Sequence, residues 1–496
     1  MEAGKNQASA MKNRIQPDYR WNLWWHVIPV LSLFIWGALC VTDQLWYDEA
    51  FSAGLVMKPW KEMLYITAVD DHSPFYYAVL KLFYLLCGSG TDFRVLKLFS
   101  LLFMMGYMLL GKYYIDRLFG RKISVWFMTF SLLLPIMCVQ AGNVRMYAMA
   151  LFFYTLTGLL ALDLCRRDNN CKWILFCISS ICIVYCHTFA MIETVWLYVL
   201  FLVVLLGNRQ DGKMEKRIKV RKFFLCGGIV AVCFLPWLYV TFRQMQLRMK
   251  YDTESVAELA KPSAIWDYAK EWFSSLETPI VPVALLGIFL AAVLLCLGVV
   301  RAFREENRKI LMGAAAFLLT TITGFVISLS LNNCFLGRYV FPGMGFVLLV
   351  YAYGMDSLKE RQIQTELLLV GVLAFIAQYR EELRLEYDGG LSHYRKFVEE
   401  QVSPGDVFVG AQGHTIFLSI YYPQMSYYLN GYVPVDLSFP NLEACYNIED
   451  LKQQYDQVWY IAFAGDYPDG GTEGRDYVIA DRFRYMYYDF VIYQLL

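Results

Sequence analysis

Charge and histidine are what this sequence has least of. Only 18% of its 496 residues are Asp, Glu, Lys or Arg, against about a quarter in soluble domains. There are 5 histidines, and the formal net charge is +0. Without a basic excess the chain lacks the electrostatic footprint of nucleic-acid binding, so no nucleic-acid partner is expected. Internal repeats and low-complexity segments are also lacking. A cleavable signal is not evident either: the start is polar and basic, and the first apolar run is too long for a signal core, so it reads as a signal anchor.

Cysteine is not scarce, but its placement excludes a disulfide framework. Cys177, Cys182, Cys226, Cys233 and Cys296 lie inside apolar runs, where a free cysteine behaves as a small hydrophobe. Only Cys334 and Cys445 fall clearly in stretches expected outside the membrane.

Apolar residues are abundant, at 58% with a mean hydropathy of +0.39. They concentrate in long runs almost free of charge, and a membrane-spanning helix needs about 20 such residues. The pattern predicts a polytopic α-helical membrane protein of about 11 spans, at 24–42, 93–116, 123–140, 145–164, 173–187, 189–206, 223–242, 280–301, 310–331, 339–355 and 366–380. Loop charge supports this list. Arg117, Arg121 and Lys122, then Arg166, Arg167 and Lys172, then segments 207–222 and 301–309, make every second loop basic. By the positive-inside rule these loops and the tail 1–22 are cytoplasmic, and an odd number of spans puts the C-terminus outside. A multi-pass plasma-membrane protein in contact with lipid follows.

Within the membrane region 23–387, two outer loops are long, 43–92 and 243–279. Residues 74–88 are apolar but short and contain Lys81, so they read as a re-entrant or interfacial helix. The stretch 243–279 carries Trp266 and Trp272 and is expected along the membrane surface. From Asp388 the pattern turns to short strands alternating with helices, which predicts a small α/β extracytoplasmic domain over 388–496. Its tyrosines, Tyr421, Tyr422, Tyr427 and Tyr428, suit either a glycan acceptor or a packed core.

Ionisable residues near hydrocarbon are costly and default to functional candidates. Four groups stand out, all placed on one membrane face by this topology: Asp48-Glu49 directly after the first span, Asp70-Asp71-His72-Ser73-Pro74 opening the re-entrant helix, Arg145-Met146-Tyr147 at a span start, and Arg338-Tyr339 at another. Each alone also has a plain reading as a helix cap, first-turn charge or snorkelling arginine. Together they suit chemistry with an anionic leaving group: carboxylates to activate a nucleophile, guanidinium forks to hold phosphate.

The order D-E, D-x-H-x-P-x-Y-Y, R-M-Y, R-Y-x-x-P resembles the GT-C-fold membrane glycosyltransferases of the protein O-mannosyltransferase and aminoarabinose-transferase type (bacterial glycosyltransferase family 39), over roughly residues 20–380. The resemblance implies transfer of a sugar from a polyprenyl-phosphate monosaccharide to a glycan, lipid or protein acceptor on the outer face. It implies Asp48 as the catalytic aspartate, with Glu49, Asp70, Asp71 and His72 around it. Arg145 and Arg338 would bind the lipid phosphate, with Tyr147 beside them and Lys81 as a further cation. Charge on the leaving phosphate would be met by these arginines or, alternatively, by a divalent cation, Mg or Mn, held by Asp48 and Asp70. Ser73 departs from the family's usual first proline, and Asn143 stands where many relatives carry Glu. The competing reading is a lipid or polysaccharide transporter, though those place their charges near the bilayer midplane on repeated halves.

Overall fold

The structure is a computed structural model, and it describes residues 19–70, 72–88, 90–208, 212–251, 263–273, 281–330, 335–410, 415–430, 439, 441–445, 447–468 and 477–496. Asp71, Cys334 and much of 243–279 lie outside the described residues.

Every predicted span falls on helix. Among the described residues eight helices, not the eleven expected, are long and apolar enough by themselves to cross a membrane: Arg94–Phe119, Tyr147–Arg166, Thr188–Gly207, Lys213–Gln244, Val281–Arg304, Arg308–Ser330, Gly337–Ser357 and Arg361–Gln401. The predicted span 123–140 is instead a broken pair, Arg121–Leu133 and Pro135–Gly142, bent by 71°. Pro135 explains the break. It offers no N–H to the preceding turn and forces Leu134 out of the helical region, to ψ 119°. The remaining two stretches are the helices α1 (Tyr19–Ala38) and Asn170–Val184, of 20 and 15 residues. Residues Pro74–Leu86 form a 13-residue helix, about 20 Å long and too short to span.

The bundle packs by close approach of small residues, as apolar helices in lipid require. A methyl group added to Gly298 would sit 2.3 Å from the Val350 carbonyl, and one on Gly354 would sit 2.3 Å from that of Leu294. The backbones of Val281–Arg304 and Met344–Ser357 therefore touch.

One end of the bundle gathers the basic loops. Arg117 meets Asp163 at 2.5 Å, Arg121 meets Asn22 at 2.8 Å, and Lys222 meets Asp168 at 2.5 Å. The other end carries a mixed six-stranded sheet. Its strands are β1 (Val407–Gly410), β2 (Tyr427–Asn430), β3 (Leu442–Cys445), β4 (Val458–Phe463), β5 (Tyr477–Tyr485) and β6 (Tyr488–Leu495), in the order β3-β2-β1-β4-β6-β5. β1 pairs in parallel with β2 and β4, and β6 antiparallel with β4 and β5. The aromatic β5–β6 pair is a hairpin, as its alternating sequence predicts. Between β1 and β2 the described residues form a short 3-10 turn at Phe417–Tyr421.

The sheet unit is seated on the first loop of the membrane part. Leu45 donates its amide to the Tyr421 hydroxyl at 3.0 Å and the Tyr485 hydroxyl at 2.9 Å. Arg395 pairs with Asp43 at 2.6 Å, and Tyr47 packs edge-on against Phe417. Tyr421 and Tyr427 are buried, and Tyr428 bonds Tyr455 at 3.1 Å, so three of the four tyrosines have structural work.

Candidate functional site

The site is assembled at the sheet end from three short turns, each at a helix boundary. The first is the opening of α2 (Tyr47–Met57). Trp46 is its N-cap, and Glu49, at the third helical position, reaches back to accept the Trp46 amide at 3.1 Å. This closes an orphan donor of the helix start and leaves Asp48 directed to one side.

The second turn joins α3 (Trp60–Val69) to α4 (Pro74–Leu86). Pro74 begins α4, where its missing N–H costs nothing. The extended residues before it carry Asp70 and His72, whose carboxylate and Nδ1 lie 2.6 Å apart. Gln244, from the long helix after residue 213, donates to the Thr67 carbonyl at 3.0 Å and also to that of Asp70, fixing this turn from outside.

The third turn, Asn143–Met146, links the broken pair to the next span and delivers Arg145. The Val144 amide donates to Glu49 Oε1 at 2.8 Å. Glu49 is thus a clamp between the first and third turns, with both oxygens taken by backbone, and it is only 3% exposed. Burial pushes its carboxyl up to about 7, with Lys97 opposing and Glu386 adding to the rise.

Arg145, 6% exposed, is the hub. One Nη donates to the Asp48 carbonyl at 3.2 Å and the other lies 2.5 Å from His72 Nε2. Because a guanidinium only donates, Nε2 must accept, which assigns the His72 proton to Nδ1, facing Asp70. Arg338, on the 3-10 helix Gly337–Gly343, places Nη2 3.5 Å from Asp48 Oδ2, and its guanidinium lies over the Trp46 ring at 5.6 Å. Tyr147 packs against His187, 5.6 Å between rings, and His187 in turn against Tyr339 at 5.4 Å.

Asp48, Asp70, His72, Arg145, Arg338 and Tyr147 are therefore brought together. Lys81 is not: it donates to the Val56 carbonyl at 2.8 Å and to that of Lys58, finishing the end of α2. Asp71 lies outside the described residues. The proposed metal ligands do not converge. Asp48 faces Arg338, Asp70 faces His72, and the Arg145 guanidinium stands between them, on the Asp48 backbone carbonyl and His72 Nε2. Among the described residues no group of three or more His, Cys, Asp or Glu is placed to hold an ion. As described, these side chains do not fit a divalent cation.

What they do fit is an anion. The Nε–H of Arg145 and that of Arg338 are buried without partners among the described residues, and such donors are a cost unless an acceptor meets them. Residues that the sequence did not point to join here: Trp46 under Arg338, Gln244 behind Asp70, and His187, whose Nδ1 is also unpartnered. Their only sequence signal is a boundary position between apolar runs. An apolar groove runs beside the helix break, lined by Leu133, Phe273, Leu348, Tyr351, Leu367 and Phe375 among others.

No protein-family profile and no curated protein sequence matches the chain. Solved structures do. ArnT from Cupriavidus metallidurans in the apo state superposes with a TM-score of 0.64 at 11% identity, over 95% of this chain and 98% of that one. The same protein bound to undecaprenyl phosphate gives 0.57 at 12% identity, with the same coverage. The arabinofuranosyltransferase AftD from Mycobacteria gives 0.52 at 11% identity, over 95% of this chain and 40% of that one. At such identities the likeness establishes architecture, and the architecture is plain: the chain is a polytopic membrane protein of the GT-C fold with a small C-terminal sheet unit.

Proposed function

We propose that this protein is a membrane glycosyltransferase that moves a monosaccharide from a polyprenyl-phosphate donor to an acceptor hydroxyl with inversion at the anomeric carbon. The observation that carries the reading is Asp48, whose carboxylate Oδ2 lies 3.5 Å from Arg338 and whose backbone carbonyl accepts from Arg145. That is an acid-base group set directly beside an anion site.

The donor phosphate takes up the guanidinium donors, including the two orphan Nε–H groups, and draws Arg338 off Asp48. The freed carboxylate accepts the proton of the acceptor hydroxyl as its oxygen bonds to the anomeric carbon. The bond from that carbon to the phosphate oxygen breaks on the opposite face, and its electron pair leaves on polyprenyl phosphate. Arg145 and Arg338 meet the charge as it develops, in a site shielded from water. His72, oriented by Asp70, holds Arg145 in place. The isoprenoid tail lies in the apolar groove; undecaprenyl phosphate bound to the structurally similar ArnT supports this donor class. The basic loops at the opposite end support a site and sheet unit outside the cytoplasm, where that unit caps the mouth and Tyr421 and Tyr485 grip Leu45.

Reconstitution with a radiolabelled polyprenyl-phosphate sugar tests this. The expected result is label on the acceptor, inverted, with polyprenyl phosphate released. Movement of intact labelled lipid across the bilayer without cleavage would establish the transporter class instead.

A further inference from the structure

The groups that aim Arg338 come from a helix that the reaction itself does not use. Residues Ala264–Phe273 form a ten-residue helix, α5 here with the bundle helices left unnumbered, within the second outer loop. Two of its last residues grip the first turn of the 3-10 helix Gly337–Gly343. The Glu271 carboxylate lies beside the Arg338 guanidinium and the backbone N–H groups of Gly337 and Arg338. Trp272 donates its indole N–H to the Gly337 carbonyl at 2.9 Å. The first amides of a helical turn have no partner within it, so a carboxylate is the group this turn needs.

The far end of the same turn is closed as well: Glu193 is fully buried against Gly343, where an added methyl would lie 2.4 Å from its Oε1. The next residue of α5, Phe273, packs onto Gly287, 2.7 Å from where a methyl would be, and lines the apolar groove. Three consecutive residues thus touch the mount of the phosphate-facing arginine and the wall of the groove.

We propose that Glu271 and Trp272 are positioning residues for Arg338, so that recognition of the donor phosphate depends on the docking of α5. The inference rests on the reading of Arg338 as a phosphate ligand. Trp272 acts through the backbone that carries Arg338, and Glu271 through that backbone and through the charge of the guanidinium itself.

The test uses the full-length protein and undecaprenyl phosphate as the probe, with Kd measured for wild type, Glu271→Ala, Glu271→Gln, Arg338→Ala and the Glu271→Ala/Arg338→Ala pair. Loss of a hydrogen bond to a charged group is expected to weaken binding about tenfold in Glu271→Ala. Glu271→Gln, whose carbonyl still accepts, should recover most of it. In the Arg338→Ala background Glu271→Ala should change nothing further, because the two act as one unit. Wild-type binding by Glu271→Ala, or a loss that adds fully to that of Arg338→Ala, overturns the proposal. Undiminished binding by Arg338→Ala refutes instead the phosphate reading on which it stands. If Glu271→Ala does not fold, Trp272→Phe, which deletes only the indole donor, is put through the same cycle with the same criteria.

Discussion

Glu49 Oε1 accepts the Val144 amide at 2.8 Å across 95 positions of chain. Its other oxygen holds Trp46 at 3.1 Å. The residue next to Asp48, the proposed base, is therefore the strut that ties the Asp48 turn to the Arg145 turn. Glu49→Ala would strand two buried amides, each costing about 1–3 kcal/mol, and should lower both thermal stability and donor affinity. Its pH dependence has a definite sign. Burial raises the folded carboxyl to about 7, above its ordinary value. The folded state then binds the proton more tightly, so this group's contribution is full at low pH and is lost as pH rises through about 7. Thermal unfolding of wild type should fall between about pH 4.5 and 7 relative to Glu49→Gln. Parallel profiles for the two would show that Glu49 does not titrate in this way.

Asp48→Asn removes the base and keeps the shape. Turnover should drop by about 10²–10⁴-fold, the usual contribution of a positioned base. The Kd for undecaprenyl phosphate should hold or tighten, because Arg338 loses an intramolecular competitor. Near-normal transfer by this variant would remove Asp48 from the mechanism.

Arg145→Lys conserves charge and loses the fork. A single ammonium cannot donate at once to the Asp48 carbonyl, to His72 Nε2 and to a phosphate, as the guanidinium geometry allows. Donor affinity should weaken by at least about tenfold, with kcat falling too if the phosphate shifts. An unchanged KM and kcat would place phosphate recognition elsewhere.

Lys97 is buried and pairs with Glu386, with Thr42 at 3.3 Å. Removing one partner of a buried pair costs about 3–5 kcal/mol, whereas replacing both by apolar groups is often tolerated. Lys97→Met should markedly lower the unfolding temperature, and Lys97→Met/Glu386→Leu should recover most of it. A double variant as unstable as the single one would assign the lysine another partner.

Hydrophobic runs located most of the membrane helices by themselves, because a bilayer leaves a chain few choices: about 20 apolar residues per crossing; of the eleven expected crossings, eight or nine are long and apolar enough among the described residues. The same logic put Asp48, Asp70, His72, Arg145 and Arg338 at one end, since each lies at the boundary of a run. What one-dimensional order could not decide was direction. Asp48 and Glu49 are neighbours in sequence, yet helical geometry turns them about 100° apart, one toward Arg338 and the other into backbone amides. Lys81 carries the right charge for phosphate but is spent on helix-end carbonyls. Glu271, Trp272, Gln244 and His187 reach the site only because distant segments fold over it. Which side chains meet, and which are struts, was decided by tertiary structure alone, because hydrogen bonds depend on distances that sequence separation does not encode.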